Sequence, residues 1–258
     1  MNLLRRLWRH VIRPWAWGAL ALLLLLQVYF GLRIASMNGV DPSSSAFERS
    51  EVARLMQSHS PLKWQQRWVG LDQISIHLRR AVVVSEDDLF TQHHGVHWDA
   101  LEKAWQRNER SVALAQRRGR SAHLVGGSTI TQQVAKNLFL WPGRSYIRKG
   151  IEAFMAPIAG VVWGKRRTFE LYLNVIEWGE GIYGLEAASK YYFQKPASEL
   201  SVEDAAALAS ILPNPRKLSP KSLTKAAELR YLRILKEARV VEVPSHSASR
   251  ASYRWKRR

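Results

Sequence analysis

Cysteine does not occur in this chain of 258 residues. Its absence excludes disulfides, thiolate metal sites and a cysteine nucleophile together, and leaves the redox compartment open. Acidic side chains are also scarce, with 21 Asp and Glu against 39 Lys and Arg for a formal charge of +18. Such an excess points to an anionic partner (nucleic acid, an acidic membrane surface or a phosphorylated substrate) unless it serves only solubility. No useful length of sequence alternates polar and apolar residues as a half-buried strand does, and no internal repeat is visible. Hydrophobic residues still make up 47% of the chain. One anchor followed by one folded domain of about 200 residues is the expected organisation.

The anchor is the uncharged apolar run from Trp15 to Leu32, which as a helix covers about 27 Å, close to the hydrocarbon thickness of a bilayer. Arg5, Arg6, Arg9 and Arg13 precede it, and Arg33 alone follows directly. The positive-inside rule then keeps residues 1–14 cytoplasmic and exports everything beyond residue 35. Trp15, Trp17, Tyr29 and Phe30 stand at the two ends, where amphipathic rings prefer the headgroup level. A cleaved signal peptide needs small residues just after its apolar run. Here Ala19 and Ala21 lie inside the run, and Ile34-Ala35-Ser36 is a poor substitute. A retained transmembrane anchor over residues 15–32 is therefore expected.

Beyond it, residues 33–60 read as a polar tether with one short helix from Phe47 to Met56, residues 61–243 as the folded domain, and residues 244–258 as a basic tail. Trp64 and Trp68 stand at helical spacing. Arg107 to Arg120 is arginine-rich and polar, and reads as a mobile basic loop over an anionic substrate or lipid surface, or as a plain solvated loop. Ile147, Ile151, Phe154, Met155 and Ile158 fit one buried helical face. Ser201, with Glu203 and Asp204 behind it, reads as the N-cap of a helix that Pro213 stops.

Three clusters carry chemistry. In the first, Glu86, Asp87 and Asp88 follow the apolar run Ala81 to Val84, so a carboxylate there is partly desolvated and suited to act as a base. The adjacent His93 and His94 cannot face one metal ion from a helix, and no further ligand pattern accompanies them. The second cluster runs from Gly126 through Ser128, Gln132, Gln133 and Lys136 to Leu138. There hydroxyl, amide and ammonium line one helix face beyond a glycine turn, an arrangement that suits a sugar phosphate and also an ordinary amphipathic surface helix. The third cluster is Arg144, Arg148, Lys149 and Glu152, either a diphosphate clamp or a surface ion pair.

In order, spacing and identity these segments resemble the family 51 peptidoglycan glycosyltransferases. The first family motif stands as Glu86, Asp87, Phe90, His93 and Gly95, and the second is intact from Gly126 to Gln133, continuing into Lys136 and Asn137. The third is Arg148, Lys149 and Glu152. The fourth is matched by Glu170, Tyr172, Leu173, Asn174, Gly179, Gly184, Ala188, Tyr192 and Phe193, and the fifth runs from Leu200 to Pro215. The resemblance covers about residues 60 to 220. Trp178 before Gly179 departs from it, as does the long stretch between the first two motifs. A second, transpeptidase domain does not fit in the remaining length, and neither Ser-x-x-Lys match, Ser60 with Lys63 or Ser222 with Lys225, is accompanied by Lys-Thr-Gly. The monofunctional biosynthetic type is implied.

The resemblance further implies a mostly α fold, with a lysozyme-like helical lobe and a smaller membrane-facing jaw lobe at about residues 88–125. It implies lipid II and the nascent glycan strand as partners at a bacterial inner membrane, cell-division or cell-wall proteins alongside, and no nucleic acid. By motif position Glu86 is the general base. Lys136, Arg144, Arg148 and Lys149 face the diphosphate, Ser128, Gln132, Gln133 and Asn174 hold substrate, and Glu152 orients the cations or ligates a divalent ion. The sequence requires no cofactor, and Mg or Mn on the diphosphate is compatible with it. Two rivals are a lytic enzyme on a similar fold and a non-enzymatic cell-wall scaffold.

Overall fold

A computed structural model describes residues 8–57, 64–93, 95–117, 119, 127–143 and 145–244, and divides the chain into two compact units, residues 1–41 and 42–258. In the first, a π-helical turn Trp8–Ile12 leads into α1, Arg13–Ser36. Pro14 stands in the first turn of α1, where its missing N–H costs nothing. The side chains of Leu22 to Leu26 are all exposed, so the helix is apolar all round with no inner face. That is the pattern of a helix whose surroundings are themselves apolar. Together with the end of the π-helical turn it makes a stretch, His10–Ser36, long and apolar enough to cross a membrane. It extends past the expected 15–32 because nothing in Arg33 to Ser36 breaks a helix.

The second unit is helical. α2 spans Ala46–Gln57, α3 Ile76–Glu86, α4 Trp98–Arg117, α5 Ile130–Phe139, α6 Tyr146–Val175, α7 Leu185–Phe193, α8 Val202–Ile211 and α9 Lys225–Glu237. Three short strands, β1 (Gln65–Gln66), β2 (Glu177–Gly179) and β3 (Ile182–Tyr183), form a sheet in the order β1-β3-β2. β3 runs parallel to β1 and antiparallel to β2. α8 is buried from Ala205 to Ile211 and packs on both α3 and α9. Its start is the expected one: the Ser201 hydroxyl accepts from the Asp204 amide, and the Asp204 carboxylate accepts from the Ser201 amide. α5 lays Ile130, Val134 and Leu138 against α6.

Four expectations are corrected. The basic segment is not a loop through Arg117, because α4 continues to that residue. Pairs one turn apart hold it, with Trp105 Nε1 donating to Glu109 at 2.8 Å and Gln106 to Glu102 at 3.3 Å. Arg118 and Arg120 lie outside the described residues. The stripe on α6 is not buried: Ile147, Phe154 and Ile158 are exposed, Met155 is buried, and Val161 extends the exposed row. The inner face carries Arg148, Glu152, Ala156, Ala159 and Trp163 instead. Trp64 to Gly70 is extended rather than helical, with Trp64 stacked on Tyr183 at 4.8 Å. Lastly, the helix expected within the tether forms as α2, one residue longer at each end, and it is packed rather than free. Glu48, Glu51 and Leu55 are buried, Glu48 accepts from Gln66, and Glu51 pairs with Arg216.

Candidate active site

α3 delivers Glu86 at its last residue. Ser85 Oγ donates to the Ala209 carbonyl at 3.0 Å, and Arg233 donates to the Val84 carbonyl at 3.2 Å. Both pin the turn that carries Glu86 by satisfying polar groups at a helix end. The Glu86 carboxylate accepts from Gln133 Nε2 at 2.8 Å and from Ser85 Oγ at 3.1 Å. Burial pushes its pKa above the ordinary carboxylate value, against the opposing pull of those two hydrogen bonds and of the Lys136 charge.

Asp87 plays a different part. Its two oxygens lie 3.0 Å from His93 Nε2, and one accepts from the Ile130 amide, the first residue of α5, at 3.1 Å. An anion at a helix N-terminus is favoured by the orphan amides and the helix dipole. Asp87 thereby ties the end of α3 to the start of α5. Thr129 completes the joint: its hydroxyl donates to the Gly95 carbonyl and accepts from the Gln132 amide, while Gln132 Oε1 accepts from the Thr129 amide. Gly95 has φ +95, and a Cβ there would lie 2.7 Å from the Ala156 carbonyl oxygen of α6. Only glycine lets the two segments approach so closely. Lys165, one residue past the α6 break at Gly164, places its ammonium 4.4 Å from the centre of the Phe90 ring. Burial lowers that amine to about 8 although Asp87 pulls it upward.

The second carboxylate, Glu152, is 2% exposed on the inner face of α6. Lys149 Nζ donates to its Oε1 at 2.5 Å and to Ser128 Oγ at 2.7 Å, and Arg148 donates to its Oε2 at 3.1 Å. Lys136 reaches in from α5 with its ammonium 5.6 Å from the Phe47 ring centre. Burial lowers the Lys136 pKa; Glu152 and Glu86 both oppose that, while Arg148 and Lys149 add to it. The lysine thus feels both carboxylates, one hydrogen-bonded to neutral groups and one clamped by cations.

The structure therefore gathers Glu86, Gln133, Lys136, Ser128, Arg148, Lys149 and Glu152 into one polar region. Two other predicted substrate contacts have their side chains engaged inside the protein. Gln132 is fully buried in the Thr129 cap, and Asn174 exchanges hydrogen bonds with both backbone groups of Val69. Arg144, Gly126 and His94 lie outside the described residues. The joining roles of Asp87, His93, Thr129 and Gly95 were not legible in the sequence beyond their motif positions. Among the described residues no group of three His, Asp or Glu side chains comes together to hold a metal ion. Both Glu152 oxygens already face cations, so this donor set does not fit a protein-held divalent ion.

The family model described as Transglycosylase matches residues 52–239. A biosynthetic peptidoglycan transglycosylase of Azoarcus sp. (strain BH72) is 46% identical over 214 residues, covering 83% of this chain and 88% of that protein. One from Bordetella pertussis is 43% identical over 241 residues, 93% of this chain and 98% of its own. A third, from Herminiimonas arsenicoxydans, is 44% identical over 195 residues, 76% and 80% of the two chains.

Proposed function

The chain belongs to the Transglycosylase family, and from that premise we propose that it extends glycan strands by base-assisted displacement of a lipid diphosphate. It is a peptidoglycan glycosyltransferase whose substrates are lipid II and the glycan strand. Glu86 takes the proton of the acceptor 4-hydroxyl as that oxygen attacks the donor anomeric carbon. The new carbon–oxygen bond forms with inversion to a β-1,4 linkage. The bond to the diphosphate breaks, and its electron pair leaves with undecaprenyl diphosphate. Alcohols are poor nucleophiles near neutrality, and a positioned base typically contributes about 10²- to 10⁴-fold. The leaving group is already a weak base, so it needs charge neutralisation rather than a proton. Lys136, Arg148 and Lys149 supply that neutralisation, with Arg144 by motif position.

The observation that carries this reading is the contrast between the carboxylates. Glu86 sits among neutral donors in a desolvated setting that raises its pKa, whereas Glu152 is held by Arg148 and Lys149. A lytic enzyme would have no use for such a cation cluster. Incubating the purified protein with lipid II, with and without a divalent ion, tests the proposal: polymer supports it, and lipid II left intact sinks it.

The cluster also yields a mutational expectation. Lys136→Gln and Arg144→Gln each lower kcat/KM by about 10²-fold or more, the size expected when a group that stabilises developing charge is removed. The thermal midpoint scarcely moves, because Lys136 forms no ion pair within 4 Å among the described residues. Normal polymerisation by either variant would mean that the cations are misassigned.

The arginines at the N-terminal end of the apolar run support an orientation with the catalytic unit outside the inner membrane. The exposed Ile147, Phe154, Ile158 and Val161 along one face of α6 support an apolar contact of that unit with the bilayer. A reporter fused after residue 258 is active only in the exported compartment. Cytoplasmic activity of the fusion would overturn the orientation.

A further inference from the structure

A cleft of about 470 Å³, sharing no lining residue with the site built on Glu86 and Glu152, opens between α2, the β2–β3 turn, the end of α7 and the segment after α8. Its volume lies within the roughly 300–1,000 Å³ usual for small-ligand sites. The lining combines fixed charges with aromatic rings: Arg54, Glu180, Tyr191, Tyr192, Arg216 and Lys217.

The two arginines are held before any ligand arrives. Arg216 donates to Glu177 and to Glu51, both at 2.8 Å, and these carboxylates push its pKa still higher. Arg54 is bound to Glu51 at 2.6 Å and reaches Glu180 at 3.5 Å. Opposite charges thus balance across the wall, leaving planar donors and acceptors in set positions rather than a strong field.

The aromatic wall is equally fixed. The Tyr192 hydroxyl donates to the Trp178 carbonyl at 3.4 Å, and a Cβ on Gly179 would lie 2.5 Å from that hydroxyl, so glycine makes its seat. Tyr191 meets Tyr192 edge-on at 87°, with ring centres 4.9 Å apart, and remains 54% exposed. An open tyrosine face above rigid, charge-balanced hydrogen-bonding groups suits a neutral polyhydroxylated ring: apolar C–H groups stack on the aromatic, and hydroxyls meet the guanidinium and carboxylate groups. The two arginines and Tyr192, already held by the protein, limit the ordering that binding requires.

We propose that this cleft is a glycan-binding subsite, holding saccharide units of the β-1,4-linked strand away from the reacting atoms. It rests on the polymerase reading for its role. The polymer outgrows any single catalytic cleft, and a strand gripped elsewhere stays with the enzyme between additions.

The test separates the subsite from the polymerase reading by measuring binding without turnover. A β-1,4-linked hexasaccharide of N-acetylglucosamine, which carries neither lipid nor diphosphate, is titrated into the full chain in detergent by calorimetry. Expected is saturable binding that survives Glu86→Gln, weakens about tenfold or more in Tyr191→Ala, and is restored in Tyr191→Trp, which keeps a stacking face. Binding unchanged in Tyr191→Ala, or absent from the wild type, overturns the subsite even if lipid II is polymerised. Affinity that collapses between low and high salt also overturns it, since it would mark an anion site. Strands made by Tyr191→Ala are expected to be shorter at equal lipid II consumption; unchanged length refutes the holding role. Hexasaccharide binding with no polymer from lipid II leaves the subsite standing and removes the polymerase reading instead.

Discussion

Glu86→Gln polymerises no detectable lipid II yet still binds a non-reactive lipid II analogue. The substitution is nearly isosteric, keeps a group able to face Gln133 and Ser85, and removes the carboxylate charge together with the capacity to accept a proton. The loss of a positioned base is expected at about 10²- to 10⁴-fold or beyond, enough to put turnover near background. Glu152→Gln behaves differently. Its carboxylate is already bound by Arg148 and Lys149, so the substitution frees two cations and misplaces them. Measurable turnover remains, and the deficit appears as weaker binding of the diphosphate. The pH profile adds a second readout. Since burial raises the Glu86 pKa, deprotonation and activity arrive together as pH rises, with an acid limb above the roughly 4.3 of an ordinary glutamate. Rates and binding for the two variants decide the matter. Substantial turnover by Glu86→Gln, with none by Glu152→Gln, would reverse the assignment of the base.

Gly95→Ala is expected to be among the most damaging single methyl additions in the catalytic unit. The position has φ +95, and the added Cβ meets three backbone atoms of one α6 segment: the Ala156 oxygen at 2.7 Å, the Pro157 Cα at 2.9 Å and the Ala156 carbonyl carbon at 3.0 Å. No side chain can swing aside, so α6 or the loop must move. Strained backbone and overpacking each cost about 1–3 kcal/mol, giving a destabilisation of about 2–6 kcal/mol. For a unit of this size the melting temperature falls by about 10 °C. Gly143→Ala provides the control, because its φ is +103 but nothing lies within 4 Å of the added carbon. Thermal unfolding of both variants isolates the steric part. If Gly95→Ala melts no lower than Gly143→Ala, the close approach is not limiting. The shift would reach function as well, because the Gly95 carbonyl accepts from Thr129, which caps the helix carrying Gln133 and Lys136.

By itself the sequence determined whatever rests on local chemistry. A long apolar run with arginines on one side reads as a span, because the cost of burying charge in hydrocarbon is paid residue by residue. Ser201 and Asp204 read as a helix start because a capping box closes within one turn. Glu86, Gln133, Lys136, Arg148, Lys149 and Glu152 were legible because motif residues act through their own functional groups. Only the tertiary structure decided what each stripe or polar group faces. Periodicity marked Ile147, Phe154 and Ile158 as one face of α6 but not the medium against it, and the fold turned that face outward. Charge density suggested a loop where α4 runs to Arg117, because side chains one turn apart satisfy one another only once the helix exists. Gln132 and Asn174 carry groups fit for a sugar; the fold turns the Gln132 oxygen to the Thr129 amide and the Asn174 amide to the Val69 backbone, and leaves Gln132 Nε2 without a hydrogen-bond partner among the described residues. Asp87 accepts from Ile130. A hydrogen bond to a residue distant in the chain leaves no periodicity and no spacing rule behind it, so only the folded geometry identifies which donor reaches which acceptor.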